Sequence, residues 1–248
     1  MSEHHNATGA DDPRLQEMQQ RLSAVRSRIA AATEAAGRQG TPPELIVVTK
    51  FHPADDVRRL ATLGITDVGE NRDQEASDKA AKLSELGLRW HFVGQLQSNK
   101  AKSVVRYAQA IHSVDRPQLA AALARSIAAE QEKTGRGPLE CFIQVSLDDD
   151  AGSHRGGASR LDVPALADQL AGSPGLLLAG LMAVAPLGSD PDAAFGRLAE
   201  ISAQLLKDHP SASAISAGMS QDLESAIMAG ATHLRIGSDI LGSRPALR

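Results

Sequence analysis

The sequence predicts an α/β fold, a single (β/α)8 barrel of the TIM type with one extra helix at the N-terminus. Two observations carry that prediction. From Leu45 onward, eight short apolar runs alternate with stretches of helical periodicity. The chain has 248 residues, and eight such units in one barrel use about 250. The competing architecture is an open doubly wound sheet, but no G-x-G-x-x-G follows any of the runs. Residues 13–248 are expected to form one barrel domain, behind a disordered tail over residues 1–12.

The tail "MSEHHNATGADD" is polar and lacks the charged-then-apolar order of a signal peptide. No segment reaches membrane-spanning length. A soluble cytoplasmic protein is the simplest reading, so the acceptor triplet at Asn6 has no use. His4 and His5 read as tail residues rather than metal ligands, and no metal site is expected. The first helix covers residues 13–37, with Leu15, Met18, Leu22, Val25 and Ile29 three and four apart. Gly37, Gly40, Pro42 and Pro43 close it. It is expected outside the barrel or across its floor.

The strand candidates, in order, are "LIVVTK", "TDVGE", "WHFVG", "AIHSV", "ECFIQVS", "LAGLMAV", "AISAG" and "HLRIGS". The helical stretches between them are "ADDVRRLATLG", "NRDQEASDKAAKLSEL", "SNKAKSVVRYA", "RPQLAAALARSIAAEQEK", "LDVPALADQLAG", "DPDAAFGRLAEISAQLLKD" and "SQDLESAIMAG". Several open on Ser, Asp or Asn as a cap and several end at Gly. The polar stretch at 147–160, "LDDDAGSHRGGASR", reads as a mobile loop.

Composition narrows the function. Hydrophobic residues make up 42% but aromatics only 2%, so the core is expected to be mostly aliphatic. A stacking surface for single-stranded nucleic acid needs more aromatics than this. A net charge of −4 without a dense basic run also argues against a nucleic-acid partner. The lone cysteine, Cys141, excludes an internal disulfide and reads as a buried thiol in "CFIQVS". No exposed apolar stripe stands out, and a monomer is expected.

In such barrels chemistry collects where strands end. The first strand run ends on Lys50, the second on Gly69, Glu70 and Asn71. The loops after strands seven and eight often hold a phosphate. Here they carry Ser216, Gly218 and Ser220, then Gly237 and Ser238. Ser220 opens the run "SQDLESAIMAG", whose free N–H groups would attract an anion. Each of these residues taken alone reads as a cap or a turn; two such loops in the two expected places put an anion site beside that reading as an equal alternative. Lys50, in isolation, reads as a solvated rim lysine. Facing an anion site, it reads as a Schiff-base amine. At an ordinary pKa of about 10.4 only a few lysines in ten thousand are neutral at pH 7, and burial or a nearby cation raises that fraction. Two ligand classes fit: a sugar phosphate held by an aldolase, or pyridoxal 5'-phosphate. Arg235, in "LRIGS", could contact the pyridine nitrogen of the second or form a structural ion pair.

Five segments then match a known pattern. "VVTKFHPADDVRRLATLGITDVGENRDQEASDK", "LRWHFVGQLQSNKAK", "IHSVDR", "GLMAVAP" and "SAGMSQDLESAIMAGATHLRIGSDILGSR" resemble the pyridoxal-phosphate homeostasis protein family, which is similar to the barrel domain of bacterial alanine racemase. The resemblance runs from about Leu45 to Arg244. It implies pyridoxal 5'-phosphate bound covalently as an aldimine of Lys50. It places Asn71 of "GEN" at the mouth. It assigns Ser216, Gly218, Met219 and Ser220 to the phosphate loop "S-x-G-M-S", and Arg235, Gly237 and Ser238 to the "R-I-G-T" segment, with Arg235 facing the pyridine nitrogen. It implies a role in intracellular cofactor homeostasis, with transfer to apo forms of pyridoxal-phosphate enzymes.

The departures are specific. Thr49 stands for the usual serine and Ser238 for the threonine, so both hydroxyls survive. Asp239 replaces a common alanine and brings a negative charge toward the phosphate unless it turns away. Gln95 replaces a proline. "DDDAGSHRGG" replaces a Ser/Gly/Lys-rich loop, and whether Arg155 substitutes for its lysine stays open.

Racemisation needs two bases, one on each face of the substrate's Cα. Lys50 would be one. In alanine racemase the other is a tyrosine from a second domain on a partner subunit, and this chain ends about ten residues after its eighth strand run. Its only tyrosine, Tyr107, is expected far from the strand ends. A guanidinium at the pyridine nitrogen keeps that nitrogen unprotonated and the ring a poor electron sink. The expected protein is therefore a non-catalytic cofactor carrier with no catalytic residues. A weak amino-acid racemase is the alternative, and an aldolase the third reading.

Overall fold

The computed structural model describes residues 12–148 and 156–243. Residues 1–11, Arg155 and Arg244 lie outside the described residues, as does most of the "DDDAGSHRGG" stretch.

Eight parallel strands close into a barrel in chain order, β8 returning to β1. The strands are β1 (Glu44–Val48), β2 (Asp67–Glu70), β3 (Arg89–Phe92), β4 (Ala108–Val114), β5 (Leu139–Gln144), β6 (Leu176–Met182), β7 (Ala214–Ser216) and β8 (His233–Ile236). The helices are α1 (Pro13–Ala35), α2 (Ala54–Thr62), α3 (Asp73–Lys82), α4 (Ala101–Val104), α5 (Pro117–Thr134), α6 (Val163–Ala171), α7 (Pro191–Asp208), α8 (Leu223–Met228) and α9 (Ser238–Leu241). Closure of the sheet excludes the doubly wound alternative.

Parallel strands carry apolar residues on both faces because helices cover the outside. The outward residues Val47, Val68, Ile111, Ile143 and Ile236 join Leu60 of α2, Leu123 and Ile127 of α5 and Leu198 of α7 in one buried aliphatic layer. Cys141 lies in this layer, fully buried, and burial pushes its thiol far above the usual range. The barrel interior is different. Its apolar cluster is small, built on Ala110, Phe142 and Met182. The ring of His112 stacks on Phe142 at 4.3 Å and 11°.

α1 starts where Asp12 Oδ1 accepts the N–H groups of Arg14 and Leu15, with Pro13 in the first turn. Its buried stripe is Met18, Leu22, Val25 and Ile29. It packs against α8 and α9, and Arg14 Nη2 pairs with Asp56 of α2 at 2.9 Å. It therefore fills the outer ring between the last helices and α2, outside the barrel.

Several elements differ in extent from the sequence expectation. β1 ends at Val48, so Lys50 lies in the following turn. "SNKAKSVVRYA" forms only a 3-10 turn at Ser98–Lys100 and the one-turn α4. "SQDLESAIMAG" becomes helical only at Leu223, because Asp222 Oδ1 accepts the Met219 N–H at 2.5 Å and ties residues 219–222 into a turn. Ser220 is thus a turn residue and does not cap α8. α9, directly after β8, was not expected from the sequence.

Candidate functional site at the barrel mouth

Lys50 is half-buried, and its neighbours are anchored on both sides. Thr49 is fully buried, and its Oγ1 donates to Glu70 Oε1 at 2.6 Å. The Thr49 carbonyl accepts from Lys79 Nζ at 2.9 Å. Lys79 also binds Glu70 Oε1 at 2.7 Å and Glu75 Oε1 at 2.6 Å. Phe51 has φ 68°, the one positive φ outside glycine among the described residues. Such a conformation persists only where the surroundings enforce it. Here the Phe51 N–H donates to Glu75 Oε1 at 2.7 Å, and Arg72 lies 5.0 Å from the ring centroid. Thr49 and Phe51 are therefore both fixed to the Glu70–Lys79–Glu75 cluster, and they hold the Lys50 turn. Burial pushes the Glu70 carboxyl above its usual range, against the pull of Lys79 and Thr49.

The loops after β7 and β8 meet beside this turn. The register pairs Val47 with Ile236, so Gly237 sits beside Val48, two residues from Lys50. Gly218 has φ +92°, and a Cβ there would lie 2.7 Å from Ala226 Cβ, so only glycine turns the chain here. Ser220 Oγ is 3.4 Å from Ser238 Oγ. Gly237 caps α9, whose first N–H groups have no preceding helical carbonyl to bond. Met219, in the turn after β7, is exposed. Arg28 of α1 pins both loops: Nη2 donates to the Ser220 carbonyl and Nη1 to Asp239 Oδ2, each at 2.9 Å. Asp239 is thereby turned toward Arg28, which also pairs with Glu224. Asn71 follows β2; its Oδ1 is buried without a partner. A Cβ on Gly94 would fall 2.4 Å from the Asn71 carbonyl, so glycine permits that close approach.

Arg235 and Ser216 point into the barrel. Arg235 Nη1 donates to Ser216 Oγ at 2.6 Å and Nη2 to the Ala183 carbonyl at 2.9 Å. Burial lowers Arg235 to about 10, which leaves it charged at neutral pH. No carboxylate pairs with it among the described salt bridges, so the structural ion-pair reading of Arg235 is not what the interior shows. Ser216 Oγ also lies 2.9 Å from His112 Nδ1. The Ser216 side chain, expected in the phosphate loop, is instead engaged in the interior, because the last residue of β7 faces inward. His112 Nε2 is 2.9 Å from His91 Nδ1, and His91 Nε2 is 2.9 Å from Asp67 Oδ1 at the floor. Sequence reasoning did not single out His91, His112 or Lys79. Their signal was a polar residue at an inward position of an apolar strand, and a lysine on the apolar face of α3.

Tyr107 immediately precedes β4. Its hydroxyl reaches Asp73 Oδ1 at 3.3 Å, at the start of α3 and two residues after Asn71. Burial and then Asp73 push the phenol far up, so it holds its proton at neutral pH. Among the described residues there is no metal-ligating cluster, and no helix long and apolar enough to cross a membrane.

The Lys50 turn, the serine- and glycine-bearing loops after β7 and β8 and the inward Arg235 guanidinium thus lie on neighbouring strands of the barrel. That set suits a ligand with an aldehyde, a phosphate and a ring acceptor. The sequence profile described as alanine racemase, N-terminal domain, matches residues 20–245. A pyridoxal phosphate homeostasis protein of Mycobacterium leprae is 43% identical over 243 residues, covering 92% of this chain and 93% of that protein. One from Pseudomonas aeruginosa is 40% identical over 226 residues, covering 90% and 94%. The solved structure of PipY from Synechococcus elongatus, with pyridoxal phosphate bound, superposes with a TM-score of 0.77 at 35% identity, covering 91% of this chain and all of that one (100%). Alanine racemase from Corynebacterium glutamicum, at 16% identity and a TM-score of 0.65, covers 94% of this chain and 63% of that one and shows the shared fold.

Proposed function

This chain belongs to the pyridoxal phosphate homeostasis protein family, built on the alanine racemase N-terminal domain, and from that premise we propose that it binds pyridoxal 5'-phosphate covalently through Lys50 and carries it without amino-acid catalysis. The cofactor supplies an aldehyde that condenses with an amine, releasing water, and a ring that withdraws electrons. The observation that carries the proposal is the meeting of the Lys50 turn with the Gly237–Ser238 segment on adjacent strands β1 and β8.

In this reading Lys50 Nζ is the tether. Ser220, Ser238 and the backbone of Gly218, Met219 and Gly237 hold the phosphate, with Ser216 contributing backbone alone. Asn71 offers its unpartnered Oδ1 at the mouth. Arg235 donates toward the pyridine nitrogen, and a charged guanidinium there disfavours a proton on that nitrogen. Tyr107, the one tyrosine of the chain, bonds Asp73 of α3, and no contact joins it to the Lys50 turn among the described hydrogen bonds. Residues 13–248 act as one cofactor-binding domain. The protein works as a cytoplasmic monomer in intracellular pyridoxal-phosphate homeostasis and hands the cofactor to apoenzymes.

The test is proton exchange. The cofactor-loaded protein is incubated with single L-amino acids in deuterium oxide, and Cα–H loss is followed by NMR. The proposal expects exchange no faster than with free pyridoxal phosphate. Rapid exchange or racemisation would replace the carrier reading with the racemase one.

A further inference from the structure

The chain of contacts running below Arg235 to the barrel floor is not used in the function above. We infer that Asp67, His91, His112 and Ser216 form a hydrogen-bond chain of fixed polarity that orients the Arg235 guanidinium for the cofactor ring, with His112 as the positioning residue. The inference rests on the pyridoxal-phosphate reading of the mouth.

The two ends fix the direction. Arg235 is a donor only, and the Asp67 carboxylate is an acceptor only. Burial opposes ionisation of Asp67, but hydrogen bonds from His91, Arg89 and Thr66 outweigh it and hold the carboxyl well below the usual range. With one proton on each imidazole, only one arrangement satisfies every contact. His91 Nε2–H donates to Asp67 Oδ1, and His112 Nε2–H donates to His91 Nδ1. Ser216 then donates its proton to the bare His112 Nδ1 and turns a lone pair to Arg235 Nη1. A serine hydroxyl rotates freely in general; here His112 leaves it one orientation.

That orientation matters because a guanidinium is a rigid fork. Two fixed bonds, to Ser216 Oγ and the Ala183 carbonyl, set its plane and aim its remaining N–H groups. His112 is itself immobilised by stacking on Phe142. The groups facing it are His91 from β3, Ser216 from β7, and His233 and Arg235 from β8. None of these is a carboxylate, and the ring is fully buried. A second proton on His91 would reverse His112, turn two donors on Ser216 Oγ and leave the serine proton without its acceptor.

A purely structural chain would satisfy buried polar atoms and do nothing more, so the test separates the two. His112→Phe keeps the ring stack and removes both nitrogens. His112→Asn loses the bond to His91 but places an amide oxygen near the Nδ1 position. Both variants leave His91 Nδ1 unsatisfied, so stability alone does not discriminate. Pyridoxal-phosphate affinity does: His112→Phe is expected to bind about tenfold more weakly, the loss of roughly one charge-assisted hydrogen bond, and His112→Asn to recover most of it. Equal affinity in wild type and His112→Phe would overturn the inference, as would equal loss in both variants. Long-range 15N–1H correlation on the unliganded wild-type protein is the second readout. It expects Nε2–H tautomers for both His91 and His112; an Nδ1–H tautomer at His112 overturns the chain. A wild-type protein that shows these tautomers but binds no pyridoxal phosphate would sink the functional reading instead.

Discussion

The strands of this barrel carry two unlike surfaces. Their outer face, against the helices, is an almost continuous aliphatic layer in which Val47, Ile111, Ile143 and Leu123 are fully buried. Their inner face holds Ser216, His112, His91 and Arg235 around a small apolar patch. The outer layer gains stability from area removed from water, which has no direction. The inner face depends on donors and acceptors that must point correctly, and each unsatisfied one costs about 1–3 kcal/mol. The difference teaches where the molecule stores stability and where it stores orientation.

The largest expected effect tests the buried Glu70–Lys79 ion pair between β2 and α3. Lys79→Met removes the cation from the buried Glu70 carboxylate and is expected to cost about 3–5 kcal/mol at neutral pH. Chemical denaturation measures this. The cost should shrink in acid, since burial raises Glu70 and favours its neutral form. A Lys79→Met protein as stable as wild type would mean that the Glu70–Lys79–Glu75 cluster does not hold the Lys50 turn.

Next is the aliphatic layer itself. Leu123→Ala, at a fully buried position of α5, should cost about 2–5 kcal/mol by the same assay. It should leave pyridoxal-phosphate affinity unchanged. A change in affinity here would blur the division between the two faces.

A pH series reads the inner face. Burial, then His91, Arg235 and His233, hold His112 well below its ordinary value. The unfolded chain therefore binds the extra proton first. Stability that is fully present above about pH 6.5 is lost progressively as pH falls below it. His233 is also lowered by burial and adds in the same direction. His112→Phe should flatten this slope, and an unchanged slope would place the titration elsewhere.

The smallest effect is at the rim. Arg28→Ala removes exposed pairs with Glu224 and Asp239, expected to cost at most about 1 kcal/mol. It also frees the Ser220 carbonyl and the Asp239 charge, so affinity for pyridoxal phosphate should drop several-fold. Isothermal titration against wild type reads both.

The contrast between the faces also explains what the sequence could reveal. The eight strands were legible because runs such as "LIVVTK" and "ECFIQVS" are apolar on both faces. Lys50, Arg235 and the two phosphate-type loops were legible because they punctuate those runs at strand ends. The interior chain was not. His91 and His112 sit one per strand, and nothing in their spacing says that β3 and β4 bring them to 2.9 Å. Ser216 looked like a loop serine because β7 is only three residues long and the sequence did not fix its inward phase. α9 was hidden because four residues, "SDIL", carry no periodicity. The turn at 219–222 replaced a helix start through one side chain, Asp222, whose contact is tertiary in effect though local in sequence. The position of α1 followed from long-range pairs, Arg14 with Asp56 and Arg28 with Asp239, which periodicity does not report.

The central claim is that Lys50 is the covalent tether at the mouth. The direct measurement is borohydride reduction of the protein loaded with pyridoxal phosphate, followed by proteolysis and mass spectrometry. The account predicts one phosphopyridoxyl group, on the peptide containing Lys50, and none in Lys50→Ala. A protein left unmodified, or one labelled at another lysine with Lys50 intact, would contradict it.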